Sequence, residues 1–184
     1  MSLAHALLGF LNYQPSTGYE LKQIMDLSTS NFWYAKQSQI YTTLKTLETD
    51  GCVVSHIEAQ GSRPDRRVYT ITTTGQAMLH DWLSQPVIEL PQRKELLLLK
   101  LFFSARQNKQ HILTQLRLQH NLYQQEVDRY KNETKSIIQQ VTATIPGMGQ
   151  DALLWDATRR YGEMFAEMNI RWLNEIIVLV EQNL

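Results

Sequence analysis

Three arginines, Arg63, Arg66 and Arg67, fall within five residues of one another, interleaved with Pro64 and Asp65. Guanidinium joins a permanent charge to a planar fork of donors, which suits flanking phosphates or a narrow minor groove. Upstream, Lys36, Gln37, Ser38, Gln39, Tyr41, Thr42 and Lys45 make a polar run. In it Gln can pair with adenine, and Lys45 can reach phosphate or guanine. Each feature also has a plainer reading. The arginines suit a solvated charged turn, and Arg67, at the start of a strand pattern, also suits pairing with a local acid; the polar run suits the wet face of any amphipathic helix, and Tyr41 suits a core or cap position. Catalytic patterns are missing: there is no phosphate loop, Gly-rich dinucleotide turn, Gly-x-Ser-x-Gly or His-Glu-x-x-His. His5, His56, His80, His111 and His120 are scattered, and Cys52, next to Val53 at the start of a strand pattern, reads as buried and inert. The chain reads as no enzyme, with no call for a cofactor or a metal.

The polar run and the arginines act together only if a fold sets them side by side. Leu3, Leu7, Leu8, Phe10 and Leu11 repeat at helical spacing, and Pro15 to Gly18 break the pattern. Thr17 with Glu20 three residues on makes a capping box for a second helix, whose apolar members are Tyr19, Leu21, Ile24, Met25 and Leu27. Ile40, Leu44 and Leu47 mark a third helix stopped by Gly51, with the polar run on its other face. The period then becomes two through Val53 to Glu58 and Arg67 to Thr72, joined by a turn over Gln60 to Asp65. Three helices and a hairpin with a basic tip are the order of a winged helix-turn-helix. A fourth helix spans Thr74 to about Ser84, and Pro86 and Pro91 mark a boundary.

Everything later reads as helix: Lys94 to Ala105, Lys109 to about Thr144, and Asp151 to Glu181, with Pro146 to Gly149 between the last two. Ile112, Leu116, Tyr123, Val127 and Tyr130 form one apolar stripe; Tyr161, Met164, Phe165, Met168, Trp172, Ile176 and Leu179 form another. Helical segments beyond roughly 25 residues suggest an intermolecular bundle or coiled coil. The fold class expected is therefore mainly α with a small β-hairpin. A winged helix-turn-helix domain covers 1–86, and a helical dimerisation domain covers 87–184.

The chain has 184 residues and zero formal net charge. Residues 1–86 carry six Lys and Arg against seven Asp and Glu, a net of −1, so any grip on nucleic acid has to come from a local patch. One cysteine forms no intrachain disulfide, and neither a signal peptide nor an apolar run of bilayer length is evident. A cytoplasmic location, with no membrane partner, is expected.

Four segments in order resemble the PadR-like transcriptional regulators, in particular the long members with a C-terminal domain of virulence-activator type. They are Ala6-Leu7-Leu8-Gly9-Phe10-Leu11 leading to Gly18-Tyr19-Glu20-Leu21, then Ile40-Tyr41-Thr42-Thr43-Leu44-Lys45-Thr46-Leu47-Glu48-Thr49-Asp50-Gly51, similar to the family's recognition helix. Arg67-Val68-Tyr69-Thr70-Ile71-Thr72 with Gly75 resembles its wing, and Trp82 to Pro86 followed by Glu95 to Phe103 resembles its domain junction. Thr42 departs from the proline many members carry there, and Gln37-Ser38-Gln39 replaces a commoner Pro-Gly-Thr start. The resemblance implies a homodimer that binds an inverted-repeat operator in double-stranded DNA, usually as a repressor, with activation known in the virulence-activator relatives. It also implies a small hydrophobic or phenolic effector. The rival reading is a winged helix that binds protein and not DNA, favoured by the −1 charge of the first half.

Overall fold

The computed structural model of the chain describes residues 2–30, 32–60, 63–92, 94–144 and 147–184, and at 60, 63 and 64 the backbone alone. Two units divide it, Met1–Leu90 and Pro91–Leu184.

In the first unit α1 (Ser2–Tyr13), α2 (Gly18–Ser28) and α3 (Gln37–Thr49) bury Leu7, Leu8, Leu11, Leu21, Met25, Ile40, Leu44 and Leu47 against one another. Thr17 caps α2 as its sequence indicates: the Glu20 N–H donates to Thr17 Oγ1 at 3.1 Å, and the Thr17 N–H donates to Glu20 Oε2 at 2.7 Å. Gly51, at φ +70°, ends α3 in the left-handed region. The Cys52 N–H reaches the Leu47 carbonyl at 2.8 Å and the Gly51 N–H that of Glu48 at 3.1 Å, a Schellman closure with Cys52 and Leu47 buried together. Helix α4 (Thr73–Ser84) returns to pack on α1, with Trp82 stacked on His5 at 4.7 Å.

The sheet differs from the expected hairpin in two ways. A short strand β1 (Ser16–Thr17) pairs with β3 (Arg63–Ile71), which also pairs with β2 (Val53–Gln60), giving the antiparallel order β1-β3-β2. Thr17 thus serves as both strand and helix cap, and two residues are too few to show any periodicity. The strands also run further than expected. Gln60 pairs with Arg63, so the turn read over Gln60 to Asp65 shrinks, while Gly61 and Ser62 lie outside the described residues. The core ends earlier than the ladder. Val53 and Tyr69 are buried but Ile57 is 71% exposed, so the outer hairpin projects from the body as a wing.

In the second unit the helix expected from Lys94 shortens to α5 (Leu96–Phe102) and a 3-10 turn over Ser104–Arg106. Then α6 (Lys109–Arg129), a π turn (Tyr130–Thr134) and α7 (Lys135–Thr144) form one helical run, and α8 (Gly149–Asn183) packs back along it. The pairings are antiparallel, Lys109 with Glu181 at one end and Lys131 with Glu167 further along. Pro146 lies outside the described residues. Ile112, Leu113 and Leu116 pack on Leu173 and Val180. At the π turn Tyr130 lies on Gly162, and its carbonyl accepts from the buried Arg159 at 3.3 Å, while Arg159 pairs with Asp156 and Glu163, each at 2.6 Å. The stripe read on α8 divides by exposure. Besides Arg159, the buried positions are Gly162, Ala166, Leu173 and Val180, whereas Tyr161, Met164, Met168 and Leu179 are exposed and Phe165, Trp172 and Ile176 half-buried. The small residues let the helices approach closely, which leaves the larger side chains on the flank.

Among the described residues no helix is long and apolar enough to cross a membrane.

Candidate nucleic-acid interface

Ala35 is buried, and the chain turns there into α3 with Lys36 at the N-cap. Ile40, Leu44 and Leu47 tie one side of α3 into the core. That leaves Ser38, Thr42, Lys45 and Thr49, spaced four, three and four, as the exposed ridge opposite. Gln37 and Gln39 flank it in the exposed first turn, and Lys36 is exposed just before it. Thr49 was not among the residues singled out from sequence, although its spacing from Thr42 and Lys45 carried the signal.

The hydrogen bonds define what this ridge can offer. The Thr42 hydroxyl donates to the Ser38 carbonyl at 2.9 Å, the Thr46 hydroxyl to the Thr42 carbonyl at 3.2 Å and the Thr49 hydroxyl to the Lys45 carbonyl at 3.0 Å. With their protons engaged inward, these hydroxyls present lone pairs and methyl groups outward, a surface for base amino groups and thymine methyls. Gln39 Oε1 accepts from the Lys36 N–H at 2.8 Å, closing the start of the helix. An amide oxygen has two lone pairs, so Gln39 can keep this cap and still accept from adenine N6 while its own N–H groups donate, which leaves the adenine pairing expected from sequence open. Tyr41 divides between its two sequence readings: it is 44% exposed, yet its ring lies so close to Gly18 that a Cβ there would come within 2.6 Å of Cε1.

Arg66 and Arg67 do not form a basic tip. Arg66 lies inside the ladder opposite Glu58, pairing with it at 2.7 Å and with Glu20 of α2 at 3.4 Å. The Arg66 guanidinium, with His56 behind it, holds the Glu58 carboxyl below the usual range. Arg67 pairs with Glu48 of α3 at 2.9 Å, donates to Ser55 Oγ at 2.7 Å and lies 5.6 Å from the centre of the Tyr69 ring. It therefore bridges the sheet to the last turn of α3 and does not face outward as a free cation. The pairing register explains the correction, because strands that continue to Arg63 place residues 66 and 67 well away from the loop. The Arg63 side chain lies outside the described residues. Lys36 and Lys45, by contrast, are exposed and carry no ion pair among the described residues.

The structure thus brings Lys36, Gln37, Ser38, Gln39, Thr42 and Lys45 to one end and outer side of α3, with Tyr41 at its flank. Tyr19 is a residue the sequence reading misplaced: counted as apolar stripe, it is 57% exposed in the first turn of α2. Its phase against the buried Leu21 and Met25 was the available signal.

Comparison with known proteins follows the same two-part division. Residues 7–81 match the transcriptional regulator PadR-like family, and residues 93–181 match the virulence activator alpha C-terminal family. A probable transcriptional regulator of Mycobacterium tuberculosis is 41% identical over 87 residues, which is 47% of this chain and 46% of that protein, so the match spans about half of each. The negative transcriptional regulator PadR of Bacillus subtilis is 27% identical over 98% of both chains. Among solved structures, Bacillus subtilis PadR in complex with operator DNA superimposes with a TM-score of 0.81 at 23% identity, covering 98% of this chain and 99% of that one. The same protein in complex with p-coumaric acid gives 0.75 at 22% identity, over 98% and 99%. The Vibrio cholerae virulence activator AphA gives 0.73 at 23% identity, over 98% of each. At these identities the structural likeness is one of fold.

Proposed function

Because this chain belongs to the PadR-like transcriptional regulator family, with a C-terminal region of virulence-activator type, we propose that it is a cytoplasmic, sequence-specific repressor that binds an inverted-repeat operator as a homodimer. The observation that carries the reading is the α3 ridge: Ser38, Thr42 and Lys45 aligned opposite a fully buried apolar face, with the first turn of the helix exposed. A helix anchored in this way can lie in the major groove with its N-terminal part on base edges. Lys36, Gln37, Ser38, Gln39, Tyr41, Thr42 and Lys45 are the reading set, and Arg63, Arg66 and Arg67 the wing set, Arg66 reaching backbone only by leaving its carboxylates. The operator complex and the negative-regulator name of the Bacillus subtilis relative support DNA binding and repression.

Dimerisation belongs to the second unit. Tyr161, Met164, Met168 and Leu179 leave an apolar stripe on the side of α8 away from its buried positions, and a second copy would cover it. An effector of the small aromatic or phenolic class is part of the same reading, supported by the p-coumaric acid complex of the relative.

The deciding experiment selects binding sites from random duplex DNA and titrates salt against the selected site. A palindromic consensus and a linear fall of log affinity with log salt are expected. No enrichment, with no salt-dependent binding to any duplex, would leave the protein-binding winged helix as the better reading. Sedimentation decides the dimer: a compact monomer at micromolar concentration would refute it, as would a fragment 1–90 that dimerises and binds as tightly as the full chain.

A further inference from the structure

We infer that Tyr19, oriented by Gln23, is a phosphate-contacting residue on α2 that grips the DNA backbone beside the groove occupied by α3. The inference rests on the DNA reading above and adds a second point of attachment, outside both α3 and the wing.

Three observations carry it. Tyr19 is a large aromatic residue that the fold leaves 57% exposed, on a helix whose opposite side is in the core through Leu21 and Met25. Its hydroxyl oxygen accepts from Gln23 Nε2 at 3.2 Å, one turn further along the same exposed side. A phenol has one proton, so an oxygen that accepts from an amide keeps its own O–H free to donate, and the Gln23 dipole favours that polarity. The third observation is position. Gly18 is pressed against the Tyr41 ring so closely that any side chain at 18 would collide with it. The first turn of α2, where Tyr19 stands, is thereby locked to the first turns of α3, where the reading residues stand.

In a helix-turn-helix the first helix crosses the backbone while the second enters the groove, so an outward donor at the start of α2 meets a phosphate oxygen and not a base. Tyr19 suits that role better than a lysine would here. Glu20 lies next to it and is engaged both by the Thr17 N–H and by Arg66, so a neutral donor adds a contact without disturbing these pairings.

The test is Tyr19→Phe and Gln23→Leu in the full-length protein, measured by fluorescence anisotropy on the selected operator and on a shuffled duplex across a salt series. Tyr19→Phe should weaken both duplexes to the same extent, by about ten- to a hundredfold, as expected for one lost hydrogen bond to a charged acceptor. Because the phenol carries no charge, the slope of log affinity against log salt should match wild type, whereas Lys45→Gln should flatten it by about 0.9. Gln23→Leu should weaken binding in the same direction by less. Melting temperatures of both variants should equal that of wild type, since both groups are exposed, which separates a DNA contact from a structural role. Wild-type affinity in Tyr19→Phe overturns the inference while leaving the DNA reading intact. So does a loss confined to the operator, which would make Tyr19 a base reader. Failure of the wild type to bind duplex DNA overturns the reading beneath it.

Discussion

Replacing Gln39 separates the stability of the α3 start from its reading surface, two properties that meet in one side chain. Its oxygen accepts the Lys36 N–H at 2.8 Å, and the side chain is exposed, with donors and a second lone pair left for a base edge. Gln39→Ala removes both functions. Loss of a comparable capping bond costs about 1 kcal/mol, within a range of roughly 0.5–2. In a folding unit of about 90 residues that is a fall in melting temperature of some 4–8 °C. Gln39→Glu keeps the acceptor where the capping box most often places a carboxylate, and the added charge at a helix N-terminus contributes roughly 0.3–1 kcal/mol in its favour. Thermal unfolding followed by circular dichroism should rank the Glu variant at or above wild type and the Ala variant below it. Operator binding should rank differently. Ala loses discrimination at one base pair, worth about 1–3 kcal/mol in competition between related sites. Glu loses affinity for every duplex, most at low salt, because a carboxylate then faces phosphate. If the Ala variant melts with wild type, the cap is not a stabilising feature in solution. If the Glu variant melts below the Ala variant, the argument from helix-end chemistry fails.

Gly75 lies where a Cβ would come within 2.1 Å of the Cys52 carbonyl oxygen, a backbone atom that cannot step aside, so Gly75→Ala should unfold the first unit or lower its midpoint in urea by well over the typical single-substitution effect. Gly162→Ala should destabilise the second unit by about 1–3 kcal/mol, since its Cβ would meet the Tyr130 ring at 2.6 Å, and denaturation of the full chain should show the loss in that unit alone. Glu58 is held below its ordinary value near 4.5, first by its hydrogen bond from Arg66 and then by that from His56. A lowered carboxyl favours the folded wing above the ordinary value and loses that contribution as pH falls through the lowered one. Carboxyl carbon shifts should therefore titrate below 4.5 in wild type and move upward in Arg66→Ala. Arg66→Ala should also flatten the salt slope of DNA binding by less than the 0.9 expected per phosphate contact, because the free arginine already has carboxylate partners.

Periodicity and punctuation carried much of the fold. Leu7, Leu8 and Leu11, the Thr17 and Glu20 box, and Gly51 after Ile40, Leu44 and Leu47 each act through neighbours within a turn or two, so the sequence displays them directly. What it concealed depends on partners distant in the chain. Strand β1 exists because Ser16 and Thr17 lie across from Tyr69 and Val68, and the length of the wing follows from Gln60 meeting Arg63. On α8 hydrophobicity did not show which positions face α6, since close approach there selects Gly162 and Ala166 over Met164 and Met168. The polar run of α3 was legible because an amphipathic helix sorts its sides by spacing alone. Pairing with an acid was open for Arg67, but the partners were not legible, because Glu20, Glu48 and Glu58 lie 46, 19 and 8 residues away from the arginines they hold.

Those pairings bear on how a first half with a net charge of −1 can serve as a reader of DNA. With Arg66 and Arg67 neutralised internally, Lys36 and Lys45 are the exposed cations beside the reading ridge that have no ion pair among the described residues. Few phosphates can then be neutralised per half-site, so sequence-independent attraction is small and falls little with salt. On the proposed reading, short-range matching along Ser38, Gln39, Thr42 and Lys45 would carry a larger share of the free energy, and a wrong base would cost a larger fraction of the total. A single reader built in this way binds weakly. Two held together, as proposed, by the second unit would bind well, because the second half-site would be met at the high effective concentration set by the first. Weak fields at each reader and tight coupling between two copies favour an operator with two correct half-sites over the excess of duplex that offers one.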